Sequence, residues 1–297
     1  MAKARAIVKR RKAVRNIKKI TKTMQMIATA KFQKSLKRAV GTKPYTLKVR
    51  ELVGELAATI GDVDHPLLRK PEGAGQTNRV ALVVLTSNRG LAGAYNGSVL
   101  RTAMAALRDL VGQGKTVDLH VAGKKGYSFF NFQKRPITAR LDQFGDLPKF
   151  EEVTVLADQF IADFTAGKVD AVYLAYMNFV SAGVQKPTVT TLLPLASIAA
   201  SAPGSQPKRE VTYEFSPDPQ SLLDELLPQT VKTTLFQAFL DATTSEHVAR
   251  MVAMKSATDN ADKMAKALTM QYNRARQSQI TTELAEIMGG VEAMKGA

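Results

Sequence analysis

The chain of 297 residues contains no cysteine and no tryptophan. Without cysteine there is no disulfide, no thiolate nucleophile, no thiolate metal site and no thiol-based redox switch. Histidine is scarce as well: His65, His120 and His247 fall on a linker, in a strand pattern and in a helix pattern. No H-x-x-x-H pair occurs and no acidic cluster accompanies any of the three, so no metal centre is expected. No apolar run approaches the ~18 residues that a membrane span requires, and the region after Met1 lacks a signal-peptide core. The expectation is a protein that stays on the side of the membrane where it is made. A mitochondrial transit reading of the basic start is disfavoured, because no serine precedes Ser35 and the apolar stripe runs on without a processing break.

Acid is missing from one end. No Asp or Glu precedes Glu51, whereas Lys3, Arg5, Lys9, Arg10, Arg11, Lys12, Arg15, Lys18, Lys19 and Lys22 crowd the first turns. Between them Ile7, Val14, Ile17, Ile20, Met24 and Ile27 form an apolar stripe at helical spacing. Like charges this dense repel at i,i+4, so the helix must be held by packing or by an external anionic surface. The net charge of +16 implies an acidic partner: nucleic acid, an anionic membrane surface or an acidic protein cavity. The basic stretch lacks interleaved aromatics for base stacking, which weighs against a nucleic-acid clamp but leaves it open.

Proline and glycine are missing from the other end. From Ser245 to Val291 there is no Pro, and the first Gly is Gly289. Alternate steps of four and three from Met254 reach Thr258, Ala261, Ala265, Leu268, Tyr272, Ala275, Gln279 and Thr282. This heptad seam hands over to Ile280, Leu284, Ile287 and Val291. Ala and Thr permit close approach of a companion helix but bury little apolar area, so the strand of coiled coil is thin. The basic N-terminal helix is the companion available. At 1.5 Å per residue, a helix from Pro228 to Val291 would span roughly 95 Å.

Between the two ends the period changes. Val80–Leu85 is a continuous apolar run of the kind found in buried parallel strands, followed by a glycine turn and a helix from about Asn96 to Leu110. Further strands are expected at Val117–Ala122, Ile137–Leu141, Val169–Phe179 and Thr188–Leu195, with helices at Tyr127–Phe132 and Phe150–Phe164. The fold class is therefore α/β, a Rossmann-like domain inserted between long N- and C-terminal helices that are each other's available partner. The expected segments are an N-terminal helix over 1–60, a linker over 61–78, the α/β domain over 79–199, a linker over 200–216 and a C-terminal helix over 217–297. Gly41 and Pro44 are expected to interrupt the first helix, and Pro228 to kink or restart the last.

Candidate chemistry is sparse. Gly114, Lys115 and Thr116 spell the end of a Walker A loop, but Asp109 stands where its first Gly belongs, and helix precedes strand rather than following it. A helix cap and turn is the better reading. Gly90, Gly93 and Gly97 follow a strand, yet their spacing is not G-x-G-x-x-G, and Val121 and Ala122 end the second strand where a ribose-binding carboxylate belongs. A tight turn exposing Asn88 and Arg89 at the carboxyl edge of the sheet accounts for them. No G-x-S-x-G elbow occurs, and no catalytic constellation is expected.

Four ordered segments carry a family resemblance: KKITKTMQMIATAKFQKS from Lys18, TSNRGLAGAYN from Thr86, SEHVARMVAMKSATDNA from Ser245 and YNRARQSQITTELAEIMGG from Tyr272. Together they resemble the gamma subunit of rotary F-type ATP synthase. That resemblance implies that the long N- and C-terminal helices pair as an antiparallel coiled coil, a central shaft turning inside an alpha3beta3 hexamer, with the α/β domain as a foot on the membrane c-ring beside the epsilon subunit. It implies catalysis on the beta subunits, no cofactor, no nucleic acid, membrane contact only through the c-ring, and a peripheral place on the cytoplasmic face of a bacterial inner membrane. By the same resemblance Lys18, Lys22, Met24, Met26, Arg274, Arg276, Gln277, Thr281 and Glu283 lie where rotor meets stator, and Asn88, Arg89, Gly90 and Gly93 form the foot turn. The family turn usually reads S-D-R-G-L-C-G. Here Asn88 and Ala92 replace its Asp and Cys, so no carboxylate role carries over. Two other classes stay in view, a nucleic-acid-binding coiled coil and a Rossmann-type enzyme with helical arms.

Overall fold

The computed structural model describes residues 2–60, 65–69, 77–195 and 219–295. The linker expected over 200–216 therefore lies outside the described residues, and of the one expected over 61–78 only 65–69 and 77–78 are described. The elements in chain order are α1 (Ala2–Ile60), β1 (Arg79–Leu85), α2 (Tyr95–Gly112), β2 (Thr116–Ala122), α3 (Lys124–Phe132), β3 (Ala139–Leu141), α4 (Phe150–Thr165), β4 (Ala171–Phe179), β5 (Gln185–Leu193) and α5 (Pro219–Lys295). They divide into two compact units. One joins residues 1–29 to 250–297, and the other covers 30–249.

In the 30–249 unit a five-stranded sheet has the order β3-β2-β1-β4-β5. β1 pairs in parallel with both β2 and β4, and β2 with β3, while β5 runs antiparallel to β4. β1 alternates between two cores, as the pleat requires. Leu82 and Val84 pack with Tyr95, Val99, Ala103 and Leu107 of α2 and with Phe130 of α3. Ala81, Val83 and Leu85 face Val153, Leu156 and Phe160 of α4, together with Val53 and Leu56 of α1 and Leu227, Val231 and Leu235 of α5. The two-sided burial explains why this strand reads as an unbroken apolar run rather than an alternating one.

Neither long helix breaks where proline led one to expect. α1 passes through Gly41 and Pro44, and α5 through Pro228. Pro44 is exposed, so its cost is confined to the helix itself, where it leaves out one backbone hydrogen bond. The Thr42 and Thr46 hydroxyls supply local bonds, donating to Arg38 O at 3.0 Å and Thr42 O at 3.3 Å. Downstream, Val49, Val53 and Leu56 are buried, and that packing outweighs the local penalty.

Candidate functional site

The unit built from both chain ends is a helix pair. Along α1, Val14, Thr21 and Ala28 are buried at intervals of seven; along α5, Met254, Thr258 and Ala261 are buried. Three contacts fix the register. The Thr21 and Thr258 hydroxyls lie 2.8 Å apart, Lys18 Nζ meets Asp262 Oδ1 at 2.5 Å, and the Arg11 guanidinium sits 4.9 Å above the Tyr272 ring. As the α1 number falls the α5 number rises, so the pair is antiparallel. The C-terminal seam expected from Met254 is the observed one, with burial fading through Ala265, Leu268, Tyr272, Ala275 and Gln279. Thr282, expected to continue it, is exposed. From Ile280 to Lys295 every residue is exposed, including Leu284, Ile287 and Val291 at heptad spacing.

The N-terminal stripe requires correction. Ile7 and Val14 lie on the seam, but Ile17, Ile20 and Ile27 are 51%, 59% and 52% exposed, and Met24 is half-buried. At 100° per residue, positions 17, 20, 24 and 27 sit to one side of the line through 14, 21 and 28, by about 80° on average. Two helical faces had been merged into one. The true seam is small and polar, so hydrophobicity alone selects the neighbouring face.

The expected interface residues spread over several faces. Lys18 is engaged across the seam with Asp262, whose carboxyl is held below the usual range first by the Lys18 hydrogen bond and then by that of Lys266. Lys22 is exposed, reaching Gln25 Oε1 at 3.5 Å, and Met26 is 63% exposed. Arg274, Gln277 and Thr281, spaced i, i+3 and i+7, share the face of α5 opposite its seam, with the Thr281 hydroxyl donating to Gln277 O at 3.0 Å. Arg276 and Glu283 share a flank, and Glu283 accepts from the Gln279 amide at 2.8 Å. The sequence reading missed Arg11, Thr21 and Asp262. A sevenfold step from Val14 would have found Thr21.

The glycine turn after β1 lies at the carboxyl edge of the sheet and is closed by its own side chains. The Asn88 amide donates to Phe144 O at 3.3 Å while its oxygen accepts from Lys124 N–H at 3.2 Å. Asn96 Oδ1 accepts the Ser87 N–H at 3.0 Å. Leu91 (φ 63) and Gly93 (φ 55) both take the left-handed conformation, and a side chain in place of Gly90 would meet the Lys125 side chain at 3.5 Å. Arg89 is exposed. At Gly123 no side chain fits at all, because a Cβ would stand 2.2 Å from Thr86 O. The nearby cavity, bordered by Thr86, Asn88, Phe144, Asp146 and Glu246, measures about 40 Å³, room for about three waters. Asp146 at its rim is paired with Lys31. The Gly114–Lys115 turn is the cap of α2, with Gly114 at φ 78 and Lys115 N–H donating to Leu110 O at 3.1 Å.

Comparison with known proteins adds the following. A family model described as "ATP synthase" matches residues 3–294. An ATP synthase gamma chain from Rhodopirellula baltica is 44% identical, with all of both chains covered. One from Leptospira biflexa is 41% identical over 99% of this chain and 100% of its own. Among solved structures, a chain of the Euglena gracilis mitochondrial ATP synthase (OSCP/F1/c-ring) superposes with a TM-score of 0.63 at 16% identity, covering 99% of this chain and 95% of that one. A chain of the Tetrahymena thermophila central stalk and c-ring gives 0.56 at 21% identity, covering 80% and 99%. At these identities the structural likeness speaks for the fold.

Proposed function

The chain belongs to the ATP synthase gamma chain family, and from that premise we propose that it is the central rotor shaft of a rotary ATP synthase. In this reading the paired chain ends turn inside an alpha3beta3 hexamer, and the α/β region is the foot that meets the c-ring and the epsilon subunit. Rotation of the c-ring, driven by protons or sodium ions, is passed through the shaft to the beta subunits. There the shaft's asymmetric surface favours one conformation of each catalytic site in turn, which is the differential contact any coupled conformational cycle requires. The chain itself is non-catalytic and holds no cofactor. It sits peripherally on the cytoplasmic face of the bacterial inner membrane, touching the membrane only through the c-ring; among the described residues no helix is long and apolar enough to cross one.

The observation that carries this reading is the helix pair with a thin seam and apolar outer faces. Thr21, Ala28, Thr258 and Ala261 keep the two helices close, while Ile17, Ile20 and Ile27 on α1 and Leu284, Ile287 and Val291 on α5 stay uncovered. Uncovered apolar stripes on a strongly basic helix pair suit a surface that works against a partner. With Lys18 committed to Asp262, Lys22 and Arg276 are the cations placed to face acidic loops of the beta subunits. Met24, Met26, Arg274, Gln277, Thr281 and Glu283 complete the proposed rotor–stator surface, and Asn88, Arg89, Gly90 and Gly93 shape the foot turn. Reversing both charges, Lys22→Glu with Arg276→Glu, is expected to weaken ATP-driven proton pumping in the assembled enzyme. Pumping at the unaltered rate would contradict the assignment.

A further inference from the structure

Asp241 lies on α5 in the 30–249 unit, only 5% exposed, and its surroundings fall short of what a buried carboxylate requires. Among the described residues one side-chain donor reaches it, the Gln237 amide, at 2.9 Å. The same amide nitrogen leans 3.4 Å toward Ala39 O on α1, while Gln237 Oε1 is buried with no hydrogen-bond partner among the described residues. α1 brings two cations to this region. Lys43 acts on the carboxylate only at Coulombic range. Arg50 bonds Thr234 Oγ1 at 3.0 Å and leaves its Nε buried without a partner among the described residues. β4 brings Tyr176, pushed up first by burial, eased down by the Thr190 side chain of β5 and raised by the charge on Asp241. A carboxylate buried with one donor and no ion pair tends to take up a proton rather than remain charged.

We propose that Asp241 operates a proton-sensitive clasp between residues 39–50 of α1 and 234–241 of α5, closed when the carboxyl is neutral and loosened when it is ionised. The proton comes from and returns to solvent, so the step balances without a co-reactant. Burial pushes the carboxyl up to about 6, from an ordinary 3.8. The closed form therefore binds more protons than the open form between these values. Its grip is full below about pH 4, weakens as pH rises toward 6 and is level above that.

Backbone amide exchange of the full chain tests this directly, and its outcome does not depend on the shaft reading. After correction for intrinsic rates, amides in 39–50 are expected to be about tenfold better protected at pH 5 than at pH 7.5. Asp241→Asn should flatten that dependence. Lys43→Gln alters only an exposed side chain, and should keep the dependence while moving its midpoint upward, because the carboxylate loses a cation that favours its charged form. An unchanged pH profile in Asp241→Asn, or an unmoved midpoint in Lys43→Gln, would overturn the clasp.

Discussion

Lys134 shows what one residue costs and where the cost is visible. It follows α3 with φ 52, and Arg135 N–H donates back to Phe130 O at 2.9 Å while Lys134 N–H donates to Asn131 O at 3.0 Å. α2 and α4 end in the same bond pattern with Gly114 and Gly167 at the left-handed position. Lysine pays a steric penalty there that glycine does not, so Lys134→Gly should raise stability by up to about 1 kcal/mol in urea unfolding. The buried Thr21–Thr258 pair gives a second expectation. Thr258 also bonds Met254 O at 2.8 Å, so Thr21→Val alone should cost about 1 kcal/mol, and a double-mutant cycle with Thr258→Val should show coupling of at least ~0.5 kcal/mol. Asp146 gives a third, with the opposite pH sign to Asp241. Its carboxyl is held low, chiefly by the Lys31 hydrogen bond, against an ordinary value of 3.8. Its stabilising contribution is present above that value and is lost as pH falls below it. Asp146→Asn should therefore flatten the acid limb of stability against pH, and an unchanged limb would show that the ion pair is idle.

At the scale of elements, burial decides what a reader of the sequence can see. β1 was legible because a strand covered on both faces is an unbroken apolar run, Val80 to Leu85. The antiparallel direction of β5 was not, because a Thr-rich strand pattern carries no sign of direction. The seam of α5 was legible from Met254 onward because its small residues sit at strict heptad spacing. The seam of α1 was hidden because Thr21 is less conspicuous than Ile17, Ile20 and Ile27 beside it. The glycine turn was placed correctly at the carboxyl edge, yet nothing in the letters showed that Asn88 and Asn96 fill it with their own hydrogen bonds. Pro44 marks the limit of local rules: a residue that ends isolated helices is carried by the packing of Val49, Val53 and Leu56. Pro44→Ala should restore a hydrogen bond within α1 and raise stability, by as much as about 3 kcal/mol if the helix is strained there. A lower urea midpoint would mean that the proline has a role the helix geometry does not reveal.

For the molecule as a whole, the division of labour follows the charge. Ten of the first 29 residues are Lys or Arg and none is acidic, and they belong to the unit that also holds the exposed end of α5. Residues 280–295 are exposed throughout, so a chain ending at Gln279 should unfold within about 0.5 kcal/mol of the full one. Stability is not what that stretch supplies; in the shaft reading it supplies grip on the hexamer. The most direct measurement is single-molecule rotation after mixing the chain with alpha and beta subunits of the same enzyme and adding ATP. The shaft account expects one chain per hexamer, rotation in a single direction, and reduced torque for the chain ending at Gln279. Hydrolysis by a hexamer in which the full chain is bound but does not turn would contradict it.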